Sequence, residues 1–403
     1  MSSEVAERQE VVATVEPWPV MAFSEAVAIN PRRPLPKSGD VPFLDMAALP
    51  LHGAPVAVVE KRPVASGGAR FHAGDTLFAR ITPCAENGKL GFVSAVDGGT
   101  TAQGSTEFVV MSAREGLTLA EYVRWLSGWS FVREHAIGLM EGTSGRQRIP
   151  AWAFDEIEVP VPPLDEQRRI AEILRSVDEA IAANRIALDQ VARARAAILH
   201  MAFEETLWEP VPLGELGSWQ SGGTPSKAVD DLWGGDVPWI CPRDMKTPVI
   251  RQTHSTLTPL ALGGTCKLAP KGTLMIVVRG MILAKAIPTA TTAMDATFNQ
   301  DMKAFRPNGR ALPKFVQLCL QHQERQLLRV VNTATHGTKK LDTDTLLAVS
   351  VPLPDLETQQ ALADAVSDLD FASVKYGEEH IRLNTIKRAL MSDLLSGRVR
   401  VPA

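Results

Sequence analysis

The chain has 403 residues, 45% hydrophobic and 22% charged, which excludes wholesale disorder and predicts a globular protein of two or three domains. No apolar run reaches the roughly 20 residues of a membrane span. The acidic start Met1-Ser-Ser-Glu-Val-Ala-Glu7 lacks the apolar stretch of a secretory signal, and Cys84, Cys241, Cys266 and Cys319 form no Cys-x-x-Cys pair, so a cytoplasmic chain with reduced thiols is expected.

The net charge of −4 conceals one basic stretch, residues 209–350, with 16 Lys and Arg against 11 Asp and Glu. A protein gripping DNA by phosphate neutralisation alone is usually cationic throughout. Either nucleic acid is not the ligand, or another subunit supplies much of the phosphate contact.

Residues 1–160 read as a first module of mixed α and β structure, with a helix at Glu121–Leu126. Pro162-Pro163 closes it and opens a helix whose first turn carries Asp165 and Glu166, acids that favour the positive end of the helix dipole. Through 161–208 a seam recurs in steps of three and four at Ile170, Leu174, Val177, Ile181, Asn184, Leu188, Val191, Arg195, Ile198 and Ala202. Unbroken by proline or glycine, about 40 residues make a rod of roughly 60 Å. Residues 209–353 read as a second module, with a strand at Thr273–Val278 and a helix at Lys314–Gln321. A second rod and tail fill 354–403, with a rougher seam at Leu362, Val366, Leu369, Ser373, Tyr376, His380, Leu383, Lys387, Leu390 and Leu394, ended by Gly397. Asn184 and His380 are seam polar residues of the kind that fix register at a cost in stability. No second histidine lies a turn from His380, which argues against a metal ligand.

The halves echo one another. Val159-Pro-Val-Pro-Pro-Leu-Asp-Glu-Gln167 returns as Val351-Pro-Leu-Pro-Asp-Leu-Glu-Thr-Gln359, and Gly145-Arg-Gln-Arg-Ile149 as Gly337-Thr-Lys-Lys-Leu341, both 192 residues on. Glu16-Pro-Trp-Pro19, Asp40-Val-Pro42 and Thr76-Leu77 have counterparts at Glu209, Asp236 and Thr273, in the same order. The expected fold is therefore α+β: two tandem mixed α/β modules, each followed by a long helix, the helices packing as an antiparallel coiled coil with pseudo-two-fold symmetry. Such an object suits a target with two separated half-sites.

Catalytic motifs are missing. There is no Gly-x4-Gly-Lys-Ser/Thr, Gly-x-Gly-x-x-Gly, His-Glu-x-x-His or Gly-x-Ser-x-Gly, and Asn30-Pro31 is followed by Arg32 rather than by the Pro-aromatic pair of amino-methyltransferase sites. Cys84 has no counterpart in the other half, which favours an incidental thiol over a nucleophile. Trp219, Trp233 and Trp239 suit core packing or loop anchoring, with stacking on bases the alternative. Each module ends in a basic or polar turn, Gly142-Thr-Ser-Gly-Arg-Gln-Arg148 and Thr335-His-Gly-Thr-Lys-Lys340. Glycine admits a close phosphate, and Arg and Gln can bond base edges bidentately. A solvated hairpin tip is the alternative, and the recurrence at matching places leaves both readings open.

Four stretches carry a resemblance: Gly74-Asp-Thr-Leu-Phe-Ala-Arg-Ile-Thr-Pro-Cys-Ala-Glu-Asn-Gly-Lys89 with Gly104-Ser-Thr-Glu-Phe108; Ser221-Gly-Gly-Thr-Pro-Ser226 with Gly235-Asp-Val-Pro-Trp239 and Asp244; Val159 to Ile170; and its copy Val351 to Leu362. In this order they resemble the specificity subunits of type I DNA restriction–modification systems. The resemblance implies a non-catalytic reader. Each module would be a target recognition domain for one half of a bipartite, asymmetric sequence in double-stranded DNA. The helices would set the gap and form a platform for two adenine methyltransferase subunits, joined by a restriction/translocase subunit. S-adenosylmethionine, ATP and magnesium would belong to those partners, with no cofactor or metal in this chain and no membrane. The first module lacks Ser-Gly-Gly-Thr-Pro-Ser, so the two modules are expected to read different sequences, and Glu357-Thr358 in place of Asp165-Glu166 points to a helix start that docks differently.

Charge and loop position then select the candidate DNA contacts: Arg80, Lys89, Ser144, Arg146, Gln147 and Arg148 in the first module, and Lys227, Arg243, Arg279, Lys285, Thr338, Lys339 and Lys340 in the second. Two rival functions are a stand-alone DNA-modifying enzyme with an unfamiliar active site and a protein-binding scaffold.

Overall fold

The computed structural model describes residues 17–143, 145–205, 207–264, 266–334 and 337–401. The chain divides into two compact units, one made of residues up to 185 with those from 378 onward, the other of residues 186–377. Each long helix therefore contributes one half to each unit.

In the first unit a five-stranded sheet runs in the order Val27–Ile29, Phe108–Ala113, Thr76–Ala79, Leu90–Val96, Ala54–Val58. All neighbours are antiparallel except the last pair. A four-stranded sheet, Lys61–Pro63, Asp40–Leu44, Ala102–Gly104, Ala69–Phe71, accompanies it. The central strands Thr76–Ala79 and Phe108–Met111 are buried throughout and read as near-continuous apolar runs because both faces are covered. Helix Ala120–Gly128 packs Tyr122, Val123, Trp125 and Leu126 into the same core as Phe78, Val109 and Met111. Burial pushes the Tyr122 phenol far above its usual range, and its hydroxyl donates to the Pro160 carbonyl.

The second unit repeats this plan. Its five-stranded sheet runs Gly217–Ser221, Met302–Pro307, Leu274–Val277, Thr289–Thr292, Val249–Ile250, again with only the last pair parallel. Its helix is Pro313–His322, which buries Phe315, Val316, Cys319 and Leu320. The echo Asp40-Val-Pro42 and Asp236-Val-Pro238 falls on strands that continue into matching parallel pairs, Phe43 with Gln103 and Trp239 with Thr297. A short antiparallel pair closes each module, Val20–Ala22 with Glu158–Pro160 and Pro210–Pro212 with Ser350–Pro352.

The long helices span Leu164–Glu204 and Leu356–Leu395. Pro163 stands just before the first, and its carbonyl accepts the amides of Glu166 and Gln167. The second is capped by Asp355, whose carboxylate accepts the Thr358 amide at 2.8 Å. The amide of Glu166 thus meets a proline carbonyl at the first helix start, and that of Thr358 an aspartate carboxylate at the second.

Within each unit the helices run antiparallel. In the first, Ile170 and Leu174 share a core with Leu390, Leu394 and Leu395, and Asp178 joins Lys387 at 2.5 Å and Arg124 at 2.8 Å. In the second, Leu199 packs with Val366 and Leu318, Ile198 lies against them, and Arg195 reaches Asp370 at 2.7 Å. The expected seam positions Val177, Ile181, Leu188, Val191, Leu362, Leu369 and Leu383 are all partly sheltered. Ser373 and Tyr376 are the correction: both are exposed, as is Phe371 at 73%, so the second helix has no continuous seam there. Among the described residues no helix is long and apolar enough to cross a membrane.

Candidate nucleic-acid interface

Both terminal turns of the sequence fold as β-hairpins. In the first unit Glu141–Thr143 pairs with Arg146–Arg148; Ser144 lies outside the described residues. Gly142, with φ of 126°, has no room for a side chain, since a Cβ would sit 2.8 Å from the Arg146 carbonyl. The hairpin is hooked to the segment after strand Thr76–Ala79. Ile149 N–H donates to the Arg80 carbonyl, Thr82 N–H donates to the Gln147 carbonyl, and the Thr82 hydroxyl accepts the Gln147 amide. Arg80 and Arg148 are thereby brought to one carboxylate, Glu107. Arg148 donates to it through Nε and Nη2 at 2.6–3.0 Å, and Arg80 through Nε at 3.3 Å. The Arg148 hydrogen bond holds the Glu107 carboxyl below the usual range, with Arg80 adding to it. Arg146 lies two residues before Arg148 on the same strand face and is exposed.

Beside this pair opens a cavity of about 520 Å³ lined by Asn30, Arg32, Arg33, Arg70, Arg80 and Thr106, among others. Asp75 pairs with Arg33, which also donates to Ser112; Arg70 donates to the Arg33 carbonyl; Arg32 is exposed. Four guanidiniums thus meet in a module whose residues 17–160 sum to −2. Three of them, Arg32, Arg33 and Arg70, escape a reading based on net charge or on the terminal loops. The run Arg32-Arg33 between two prolines was the available signal. Lys89, in contrast, is committed elsewhere: its ammonium donates to the carbonyls of Met46 and Ala47.

The second unit places its hairpin, Asn332–Thr333 with Lys339–Lys340, in the matching position; Thr335 and His336 lie outside the described residues. Leu341 N–H donates to the Val278 carbonyl, Gly280 N–H to that of Lys339, and Arg279 bridges to Lys340. Thr338 accepts the Ala334 amide with its carbonyl. Lys340 pairs with Asp342 at 2.6 Å, and Lys339 donates to the Thr333 hydroxyl. Arg279, Lys339 and Lys340 are brought together. Lys227, Arg243 and Lys285 are exposed on three separate turns. Lys303 was missed: it is buried, donates to the Ser221 hydroxyl at 3.1 Å, and burial pushes its pKa down, with Lys340 adding to the effect.

Strand register equates the Ser221-Gly-Gly-Thr-Pro-Ser226 loop with the first unit's Pro31-Arg-Arg-Pro34. Each follows the edge strand beside the central one, Ser221 opposite Lys303 and Asn30 bonded to Val110. A Cβ on Gly222 would fall 2.1 Å from the Phe298 carbonyl, so this loop presses its backbone on the sheet, whereas the arginine loop is tied down through Arg33, which bonds Asp75 and Ser112. The indole N–H of Trp239 donates to the Gly223 carbonyl and that of Trp233 to the Ser226 carbonyl. Trp219 lies against Phe305. The tryptophans anchor loop and core.

A family model described as the type I restriction modification DNA specificity domain matches residues 35–192 and again 205–381. The specificity subunit of the EcoR124I/EcoR124II type I restriction enzyme of Escherichia coli is 31% identical over 68% of this chain and 69% of its own length. That of the MjaVIII enzyme of Methanocaldococcus jannaschii is 24% identical over 64% and 66%. The EcoAI specificity subunit of Escherichia coli matches over only 29% of its length. Among solved structures, a type I S subunit from M. genitalium covers 96% of this chain with 98% of its own, at 14% identity and a TM-score of 0.58, which shows a shared fold.

Proposed function

Because the chain belongs to the type I restriction–modification DNA specificity family, as a specificity subunit, we propose that its two modules read the two halves of a bipartite, asymmetric sequence in double-stranded DNA. The observation that carries this is the repeated hairpin. Two modules with different loop chemistry present a cationic hairpin hooked to the same strand end: Arg146 and Arg148 in one, Lys339 and Lys340 in the other. Phosphate contacts from Arg32, Arg70, Arg146 and the lysines of the second hairpin position each module, and Arg and Gln heads discriminate base edges, each good bidentate pair being worth about 1–3 kcal/mol. The arginine-lined cavity of the first module supports this reading despite the chain's negative sum, since phosphate contact depends on where cations gather.

Catalysis lies elsewhere in this reading. Two adenine methyltransferase subunits dock on the helices, bringing S-adenosylmethionine, and a restriction/translocase subunit brings ATP and magnesium, in the cytoplasm where the DNA is. The target adenine leaves the stack to enter a methyltransferase pocket. Deleting the gene and mapping adenine methylation tests the proposal: one two-part motif should vanish. An unchanged methylome in a strain that expresses the system opposes it. The purified chain incubated alone with DNA and labelled S-adenosylmethionine should transfer no methyl group; transfer favours the modifying-enzyme alternative.

A further inference from the structure

Glu107 sits where a DNA-binding surface would ordinarily avoid an acid, between the two arginines of the first hairpin. Its carboxylate occupies Nε and Nη2 of Arg148 and leaves Nη1 without a hydrogen bond among the described residues. The planar guanidinium is thus fixed in orientation with donors to spare. Arg80 and Arg148 are each about one-third exposed, at 33% and 35%, so the group is reachable. We propose that Glu107 is a specificity-determining positioning residue, which aims Arg148 at a base edge and denies both arginines to bare phosphate.

This inference rests on the DNA-reading function above. A phosphate approaching Arg148 must displace one anion with another or sit beside a fixed carboxylate, and like charges repel. The neutral acceptors of a guanine edge, O6 and N7, meet no such repulsion and can bond the free donors. The carboxylate stays charged because Arg148 holds its proton affinity down. In the second module Lys340 is paired with Asp342 instead, but an ammonium is a point charge that such a partner cannot aim, and this pair is exposed. The orienting effect therefore belongs to the half-site of the first module.

The test uses the full specificity subunit assembled with its methyltransferases. Affinity is measured across a salt series on a duplex carrying the mapped motif and on a same-length duplex lacking it. Glu107→Gln should tighten binding to the motif-free duplex several-fold, steepen its salt dependence by roughly one unit, as one additional neutralised phosphate does, and cut the ratio of specific to non-specific affinity about tenfold or more. Adding Arg148→Gln should reverse the non-specific gain. Should Glu107→Gln fail to assemble, Glu107→Asp keeps the charge but draws it back from Arg148, and should lose specific affinity without gaining the non-specific kind. Motif-free affinity and salt slope unchanged in Glu107→Gln, or specific affinity kept in Glu107→Asp, overturn the inference while the wild-type complex still prefers its motif. A wild-type complex with no preference overturns the DNA-reading function itself and this inference with it.

Discussion

Gln167 and Gln359, 192 residues apart, make the same three hydrogen bonds. Gln167 Oε1 accepts the Leu119 amide at 2.9 Å, and its Nε2 donates to the carbonyls of Leu117 and Pro162, both at 2.8 Å. Gln359 Oε1 accepts the Leu312 amide at 2.8 Å, and its Nε2 donates to Arg310 at 3.0 Å and Pro354 at 2.9 Å. Both side chains are fully buried. Leu119 and Leu312 open the core helices of the two modules and offer no side-chain cap, so the long helix supplies the missing partner. Gln167→Met keeps the volume but strands three backbone groups, each costing about 1–3 kcal/mol when buried and unpaired. The midpoint for unfolding the first module in urea should fall by the equivalent of at least about 2 kcal/mol, and Gln359→Met should do the same to the second.

Glu166 holds the segment that follows the second long helix. Its carboxylate accepts from Arg400 at 2.8 and 2.9 Å, from the Val401 amide at 3.0 Å and from the Trp18 indole at 3.0 Å. Arg400 keeps the Glu166 carboxyl below its usual range. Above about pH 4.5 the group is charged whether the chain is folded or not, and its contribution is complete. Below that, the unfolded chain takes the proton first, so the contribution drains away as the pH falls through the depressed folded-state value. Thermal unfolding from pH 7 to pH 3 should show Glu166→Gln less stable by about 1–3 kcal/mol at pH 7 and converging on the wild type in acid. A constant gap across that range counts against the ion pair.

The echoes that reveal two modules mark the segments repeated structure requires. Val159 to Gln167 and Val351 to Gln359 place a strand, a proline stop and the buried glutamine in fixed sequence, so local spacing carries them. The hairpins were legible for the same reason. The arginine cavity was not: Arg32, Arg33, Arg70 and Arg80 come from three segments that only the sheet order gathers. Lys89 shows the opposite failure, since a loop lysine's charge says nothing of the carbonyls that will claim it. Glu107 was visible inside Gly104-Ser-Thr-Glu-Phe108, but a search for cations passes over the acid that positions them.

Arg32 and Arg70 line that cavity without a carboxylate of their own among the described residues, so both are available to phosphate. Replacing both with alanine should weaken binding of the methyltransferase complex to motif and motif-free duplexes alike. The dependence of log K on log salt should become shallower by about 0.9 for each phosphate that is no longer neutralised, approaching 2 for the pair. A change confined to the motif duplex would mean that these arginines read bases instead.

Asn184 and His380 are seam residues of the first unit, and each buries an atom with no hydrogen-bond partner among the described residues, Oδ1 and Nδ1 respectively. Asn184 is 8% exposed, in a helix pair that also holds the Asp178–Lys387 ion pair. An unpaired buried amide oxygen costs about 1–3 kcal/mol. Asn184→Leu should therefore stabilise the chain by about 1 kcal/mol or more in urea unfolding. If the polar group is kept because it holds the helices in one register, the gain comes with a penalty that affinity alone misses. The variant complex should methylate its motif less faithfully, accepting sites whose two halves are spaced one base pair wrongly, and methylation mapping in cells reads this directly. Higher stability with unaltered spacing would assign register to the apolar seam alone.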